Sequence, residues 1–173
     1  MALLRRSSSR ETDLPALARA GDSVRARLGA DPSAYRLPVD AIEIYGVADF
    51  FSADECARLM AMIDAVAQPS STYHGKSDGG RTSFSGDVNA HDPFIRMIER
   101  RLNDLLGMVP DHGEVIQGQR YAPGQQFRAH FDFFNTAADY WPTERHRGGQ
   151  RTWTALGYLN AVEAGGATEF PRL

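Results

Sequence analysis

Apolar positions recur at helical spacing in three stretches before Gly113 and crowd together at strand-like density after it. From Asp13 to Leu28, the residues Leu14, Leu17, Val24 and Leu28 fall on one helical face, and Pro15 suits a first helical turn. Gly21 interrupts that face. Asp31 to Pro38 carries two prolines and reads as a linker. Residues 41–47 alternate as a strand does. Ser52-Ala-Asp-Glu55 then has the form of a capping box, in which the serine accepts from the N3 amide and the glutamate reaches back. Behind it Cys56, Leu59, Met60, Ile63 and Val66 share one face. A third helix starts with Asp92 as cap and Pro93 in its first turn, and it ends before Gly107. Its buried face is Phe94, Ile98, Leu102, Leu105 and Leu106.

Residues 68–80 are polar and rich in Ser and Gly, a loop by composition, and a short strand around Arg81 to Gly86 follows. After Gly113, residues 114–121, 126–134 and 151–160 are rich in Val, Ile, Tyr, Phe, Trp and Thr, with Gly or Pro turns between them. Helices come first and strands later, without βαβ alternation. The expectation is an α+β fold with a mainly β core and N-terminal helices packed on it. It divides into an arm with a helix and linker at 1–38 and a main domain at 39–173.

Composition narrows the class. The 173 residues (19.1 kDa) suit one domain, and 42% hydrophobic with 24% charged residues is globular usage. No run approaches the roughly 18 apolar residues of a membrane span. A net charge of -3, from 19 basic and 22 acidic residues without a like-charge block, argues against a nucleic-acid partner. Cys56 is the single cysteine, so no internal disulfide forms, and it reads as a small core residue. Met1 to Arg10 holds no apolar h-region, so the expected location is cytoplasmic.

The candidate chemistry lies in His130-Phe131-Asp132. On an extended strand, residues two apart point to the same face, so an imidazole and a carboxylate project together. That is two thirds of the two-His-one-carboxylate arrangement that holds Fe(II) and leaves other positions open. The tripeptide by itself fits equally a strand histidine bonded to a neighbouring carboxylate on a solvated face.

The surroundings are more specific. The stretch Gln119-Arg-Tyr-Ala-Pro-Gly-Gln-Gln-Phe-Arg-Ala-His-Phe-Asp-Phe-Phe134 resembles the iron-site strand pair of the prolyl 4-hydroxylase family of 2-oxoglutarate and Fe(II)-dependent dioxygenases. So do Gly148-Gly-Gln-Arg-Thr-Trp-Thr-Ala-Leu-Gly-Tyr-Leu-Asn160 and Gly165-Gly-Ala-Thr-Glu-Phe-Pro171, with weaker echoes at 42–66 and 81–86. The segments keep the family's order over about residues 40–173. The resemblance implies a double-stranded β-helix (a cupin-like jelly roll), with His130 and Asp132 as iron ligands. It implies that Tyr121 and Thr154 bind the far carboxylate of 2-oxoglutarate, and that Arg81, Ser83 and Arg151 border a peptide substrate. Tyr158 and Leu159 would belong to the strand lining the pocket. The implied cofactors are Fe(II), 2-oxoglutarate and ascorbate. The implied reaction hydroxylates a C–H bond, most readily of a peptidyl proline, as 2-oxoglutarate becomes succinate.

The family's second iron histidine and the basic residue that follows it lie beyond a segment matching Phe170-Pro171. The chain is therefore expected to be a family member lacking its C-terminal strands, poorly soluble and without turnover as written. Lys76 lies in the early loop, and His146 sits between arginines in a 135–147 segment that reads as an insertion. His112-Gly-Glu114 repeats the ligand spacing across a turn, while His74 and His91 have no ligand-like context. The alternative reading is a non-catalytic domain binding a partner through a sheet edge or the 68–80 loop.

Overall fold

The structure, a computed structural model, describes residues 12–70 and 80–171. The arm 1–10 and most of the polar loop, with His74 and Lys76, lie outside the described residues.

Helix α1 spans Leu14–Ala30; Asp13 caps it by accepting from the Ala16 N–H at 2.9 Å, and Pro15 occupies its first turn. Gly21 does not break the helix. It is buried on the same face as Val24 and Leu28, where a Cβ would fall 3.2 Å from the Arg25 guanidinium. Leu14 is exposed. Residues 31–38, expected as a linker, contain strand β1 (Ala34–Arg36), which pairs antiparallel with β2 (Tyr45–Val47). Of the strand expected over 41–47, only that last part forms. The sequence left open whether the N-terminal helix docks; α1 packs against α3, and Arg27 Nε donates to the Asp104 carbonyl at 2.9 Å.

Helix α2 (Ala53–Val66) carries the capping box that its sequence announces. The Glu55 N–H donates to Ser52 Oγ at 3.2 Å, and the Ser52 N–H donates to Glu55 Oε2 at 2.9 Å. Helix α3 (Pro93–Leu106) begins at the Asp92 cap and stops at Gly107, whose φ of 63° is left-handed and suits glycine. Glu55 reaches across to α3: Arg101 donates to its two oxygens at 2.9 and 3.1 Å. The Arg101 guanidinium also lies 4.7 Å over the Phe50 ring and 5.6 Å from that of Phe51. One carboxylate thus caps α2, ties it to α3 and anchors the chain entering α2.

The main core sits between α2 and α3. It consists of Leu59, Ile63, Val88, Phe94, Ile95 and Ile98, with Phe51, Met62, Ile116 and Leu159 packed against it. Ile95 is fully buried although the helical spacing does not single it out: it belongs to the cluster with Leu59 and Ile63 of α2, while α1 lies against α3. Leu102, Leu105 and Leu106 are half-buried.

Below α2 lies an antiparallel sheet in the order β3 (Gln68–Pro69), β4 (Phe84–Asp87), β5 (Gln117–Arg120). In its register Gly86 faces Gly118. A Cβ on Gly118 would fall 2.2 Å from Ile63 Cγ1, and one on Gly86 would fall 2.7 Å from the Val66 carbonyl oxygen. The paired glycines make a flat floor on which α2 rests.

Among the described residues the fold is α+β, with small antiparallel sheets and four helices. The expected β predominance is corrected, since the main buried cluster draws most of its side chains from α2 and α3. Residues 126–134 and 151–160 form no regular strand among the described residues; 126–134 contributes the isolated bridge between Arg81 and Phe127. Strand-prone composition describes a fit to a pleated surface, and a ladder also needs a neighbour for its peptide groups. Here side chains meet part of that need. Residues 135–147, expected as an insertion, include α4 (Trp141–Arg147), whose Trp141 is buried.

Two outcomes follow from this packing. Gly118→Ala is expected to destabilise the protein by about 1–3 kcal/mol in chemical denaturation, and Ile63→Ala, which removes both Cγ atoms that the new methyl would meet, should make the double variant lose less than the sum of the two single losses. Equal stability of Gly118→Ala and wild type would show that α2 does not rest on the glycine floor.

The second outcome concerns pH. The Arg101 guanidinium, and next the Ser52 N–H, hold the Glu55 carboxyl below its ordinary range. A depressed carboxyl contributes stability above the unfolded value of about 4.3, and that contribution is lost as pH falls through the lower folded value. Glu55→Gln keeps a capping-box residue and removes the charge. Its thermal midpoint should lie below wild type near neutral pH, and the gap should close as the pH drops below about 4. A gap independent of pH would assign the loss to geometry rather than charge.

Candidate metal centre

The segment leading to His130 is fixed by a short antiparallel contact with residues 80–82. The Thr82 N–H donates to the Gln126 carbonyl and the Gln126 N–H to Thr82 Oγ1, both at 2.9 Å. The Arg128 N–H donates to the Gly80 carbonyl at 2.8 Å. Across this contact the Arg81 guanidinium lies 4.7 Å over the Phe127 ring. Phe127 in turn stacks on the His130 imidazole, with centroids 3.7 Å apart and planes inclined by 16°. The stack sets the plane of the imidazole, and a hydrogen bond sets its rotation. His130 Nδ1 lies 2.7 Å from the Arg128 carbonyl oxygen. A carbonyl only accepts, so Nδ1 carries the ring hydrogen in this geometry.

The other nitrogen is the chemically informative one. His130 Nε2 lies 3.2 Å from Asp132 Oδ1, with both side chains half-exposed. In a neutral imidazole protonated on Nδ1, Nε2 presents a lone pair to a carboxylate that also only accepts. Two acceptors at that distance repel unless a proton or a cation lies between them. Their donor types, neutral imidazole nitrogen and carboxylate oxygen, are those of an Fe(II) site. The two residues fit a metal ion as a pair. Among the described residues, no group of three or more His, Cys, Asp or Glu is placed to hold one.

Asp132 is held from one side. Thr154 Oγ1 donates to Asp132 Oδ2 at 2.8 Å, and Arg151 Nη1 donates to the Asp132 carbonyl at 2.9 Å. Gln150 grips the next residue but one. Its Oε1 accepts from the Phe134 N–H at 2.6 Å, and its Nε2 donates to the Phe134 carbonyl at 3.0 Å. Arg151 lies 4.3 Å over the buried Phe134 ring and makes a two-point ion pair with Glu114.

The remaining candidates are spread around this centre. Tyr121, just past β5, donates from its hydroxyl to Gln119 Oε1 at 2.8 Å. Ser83 is buried to 1% exposure, with its hydroxyl 3.0 Å from that of Ser70 and accepting from Arg81 Nε at 3.3 Å. A hydroxyl so enclosed supports Arg81 and does not meet solvent. Arg81 Nη2 also donates to Gln117 Oε1 at 3.1 Å. Tyr158 is exposed, with its hydroxyl 2.8 Å from that of Thr168, and Leu159 turns to the core. His146 is exposed on α4, His112 closes a 3₁₀ turn at Pro110–His112, and His91 is exposed before α3.

Sequence reasoning placed Glu114 in a turn pair with His112 and did not connect it to Arg151, 37 residues away. No local spacing signals such a contact. Nor does spacing signal Gln150, whose amide both donates and accepts and so suits a segment without a ladder partner.

Comparison with known proteins gives the lineage. Prolyl 4-hydroxylase 1 of Arabidopsis thaliana is 37% identical over 131 residues, covering 71% of this chain and 44% of the relative. "Probable prolyl 4-hydroxylase 3" of the same plant is 36% identical over 129 residues, and its prolyl 4-hydroxylase 5 is 32% identical over 129, each covering 71% of this chain and 43% of the relative. The chain therefore spans less than half the length of these curated relatives. No family model and no solved structure matches it. Similarity at this level, repeated over the same share of the chain, shows that it belongs to the prolyl 4-hydroxylase family.

Proposed function

We propose that this chain carries part of the active centre of a 2-oxoglutarate and Fe(II)-dependent dioxygenase that hydroxylates a peptidyl proline. The observation that carries the reading is the facing of His130 Nε2 and Asp132 Oδ1 across 3.2 Å, with Nδ1 turned away to a carbonyl. That is how a histidine is prepared to ligate: one nitrogen hydrogen-bonded to protein, the other presenting its lone pair. The prolyl 4-hydroxylases of Arabidopsis thaliana to which the chain is similar support the choice of proline.

Bound at this pair, Fe(II) with 2-oxoglutarate and dioxygen would supply the oxidising power for C–H hydroxylation, with 2-oxoglutarate leaving as succinate and carbon dioxide. The chain's own residues position and shield. His130 and Asp132 present the donors, and the Arg81–Phe127 stack fixes the imidazole plane. The Tyr121 and Thr154 hydroxyls are the family-derived contacts to the far carboxylate of 2-oxoglutarate, and ascorbate completes the implied cofactor set. Arg81 and Arg151 border the peptide path, with Ser83 beneath Arg81. In the same reading, the segments 114–121, 126–134 and 151–160 correspond to jelly-roll strands of the family, and among the described residues the first of them contains β5.

A binding domain without catalysis is the second reading. It draws on Phe131 and Phe133, which stack at 5.0 Å while remaining exposed. Such a domain needs no metal. Anaerobic calorimetric titration with Fe(II), with and without 2-oxoglutarate, separates the two. The expected result is Fe(II) binding that 2-oxoglutarate tightens, weakened at least roughly ten-fold by His130→Ala and by Asp132→Ala. Fe(II) binding indifferent to both substitutions would remove the dioxygenase reading and leave the binding domain.

A further inference from the structure

We propose that Thr154 is a positioning residue for the Asp132 carboxylate, holding Oδ2 so that Oδ1 alone is presented beside His130 Nε2. The inference rests on the metal-site reading above. Asp132 lies half-exposed in a segment without ladder partners, and the terminal torsion of an aspartate is soft. Left alone, its carboxylate would turn among several orientations. The Thr154 hydroxyl donates to Oδ2 at 2.8 Å, a charge-assisted bond that selects one of them. Oδ1 then stands 3.2 Å from the imidazole.

Thr154 is itself registered against the ligand segment. Gln150 binds both peptide groups of Phe134, and Arg151 donates to the Asp132 carbonyl while Glu114 braces its guanidinium. Residues 150–154 therefore do for 132–134, through side chains, part of what a neighbouring strand would do through its backbone.

The role competes with the one the family resemblance implies. A threonine hydroxyl has a single hydrogen, while Asp132 Oδ2 and the far carboxylate of 2-oxoglutarate are both acceptors only. Thr154 can donate to one of them at a time, so the two roles make different predictions when 2-oxoglutarate is absent.

The experiment titrates the full chain with Mn(II) alone, following the electron paramagnetic resonance signal of the free ion, for wild type, Thr154→Val, Thr154→Ser and His130→Ala. Valine keeps the shape and removes the donor; serine restores the donor. Thr154→Val should weaken Mn(II) binding roughly ten-fold, and Thr154→Ser should stay within about three-fold of wild type. Thermal midpoints and circular dichroism of the exposed-site variants should match wild type, which separates positioning from a loss of folding. Wild-type Mn(II) affinity in Thr154→Val overturns the proposal, whatever happens to 2-oxoglutarate binding. Failure of the metal reading shows elsewhere, as Mn(II) binding that survives His130→Ala, and it takes the proposal with it.

Discussion

The close approach of α2 to the sheet is the constraint on which the rest of the described structure depends. Gly86 and Gly118 face each other across β4 and β5, and neither position has room for a Cβ beneath Ile63 and Val66. Because the helix lies so low, Leu59 and Ile63 reach the α3 side chains and close the core. The same contact fixes β4 and β5, and these strands determine where the chain emerges on either side of the site. Residues 80–82 run into β4, and residues 121–130 leave β5, so the pairing that stacks Phe127 on His130 is carried by the glycine floor.

Glu55 secures the other side of that helix. Its contacts to Ser52 and Arg101 satisfy a helix terminus and a cation at once, and the aromatic rings of Phe50 and Phe51 flank the cation. An isolated surface ion pair contributes about 0–1 kcal/mol. This one has a second role, because its carboxylate also caps α2, and α2 is the element that spans core and sheet.

The site is organised differently from the core. No ladder runs through 129–134 among the described residues, and the geometry comes from discrete side chains: the Arg81–Phe127–His130 stack, the Gln150 clamp on Phe134, and Arg151 and Thr154 on Asp132. Such contacts hold particular atoms rather than a whole strand. A metal site needs that kind of control, since ligand rotation of a few tens of degrees moves a donor atom by more than a bond-length tolerance. Arg151 illustrates the change of view: the family resemblance makes it a residue of the substrate path, while its observed contacts are to Glu114, Asp132 and Phe134.

Local chemistry was legible in the sequence where it acts over one turn of chain. The Ser52–Glu55 box, the Asp92–Pro93 start and the Gly107 stop of α3 depend on residues three or four apart, so spacing alone determines them. The His130–Asp132 pair was legible for the same reason, two residues on one side of an extended segment. Other features were decided by tertiary structure. The burial of Ile95 depends on the helix that lies against it, and the facing of Gly86 and Gly118 depends on strand register. The Glu114–Arg151 pair and the Thr154–Asp132 bond join residues 37 and 22 positions apart, distances at which no periodicity survives. The sequence by itself determined α1, α2 and α3, the ends of α2 and α3, and the closeness of His130 to Asp132; the tertiary structure decided α4 and which atoms of that pair face each other. Helix ends and donor pairs answer to neighbours along the chain, whereas orientation answers to neighbours in space.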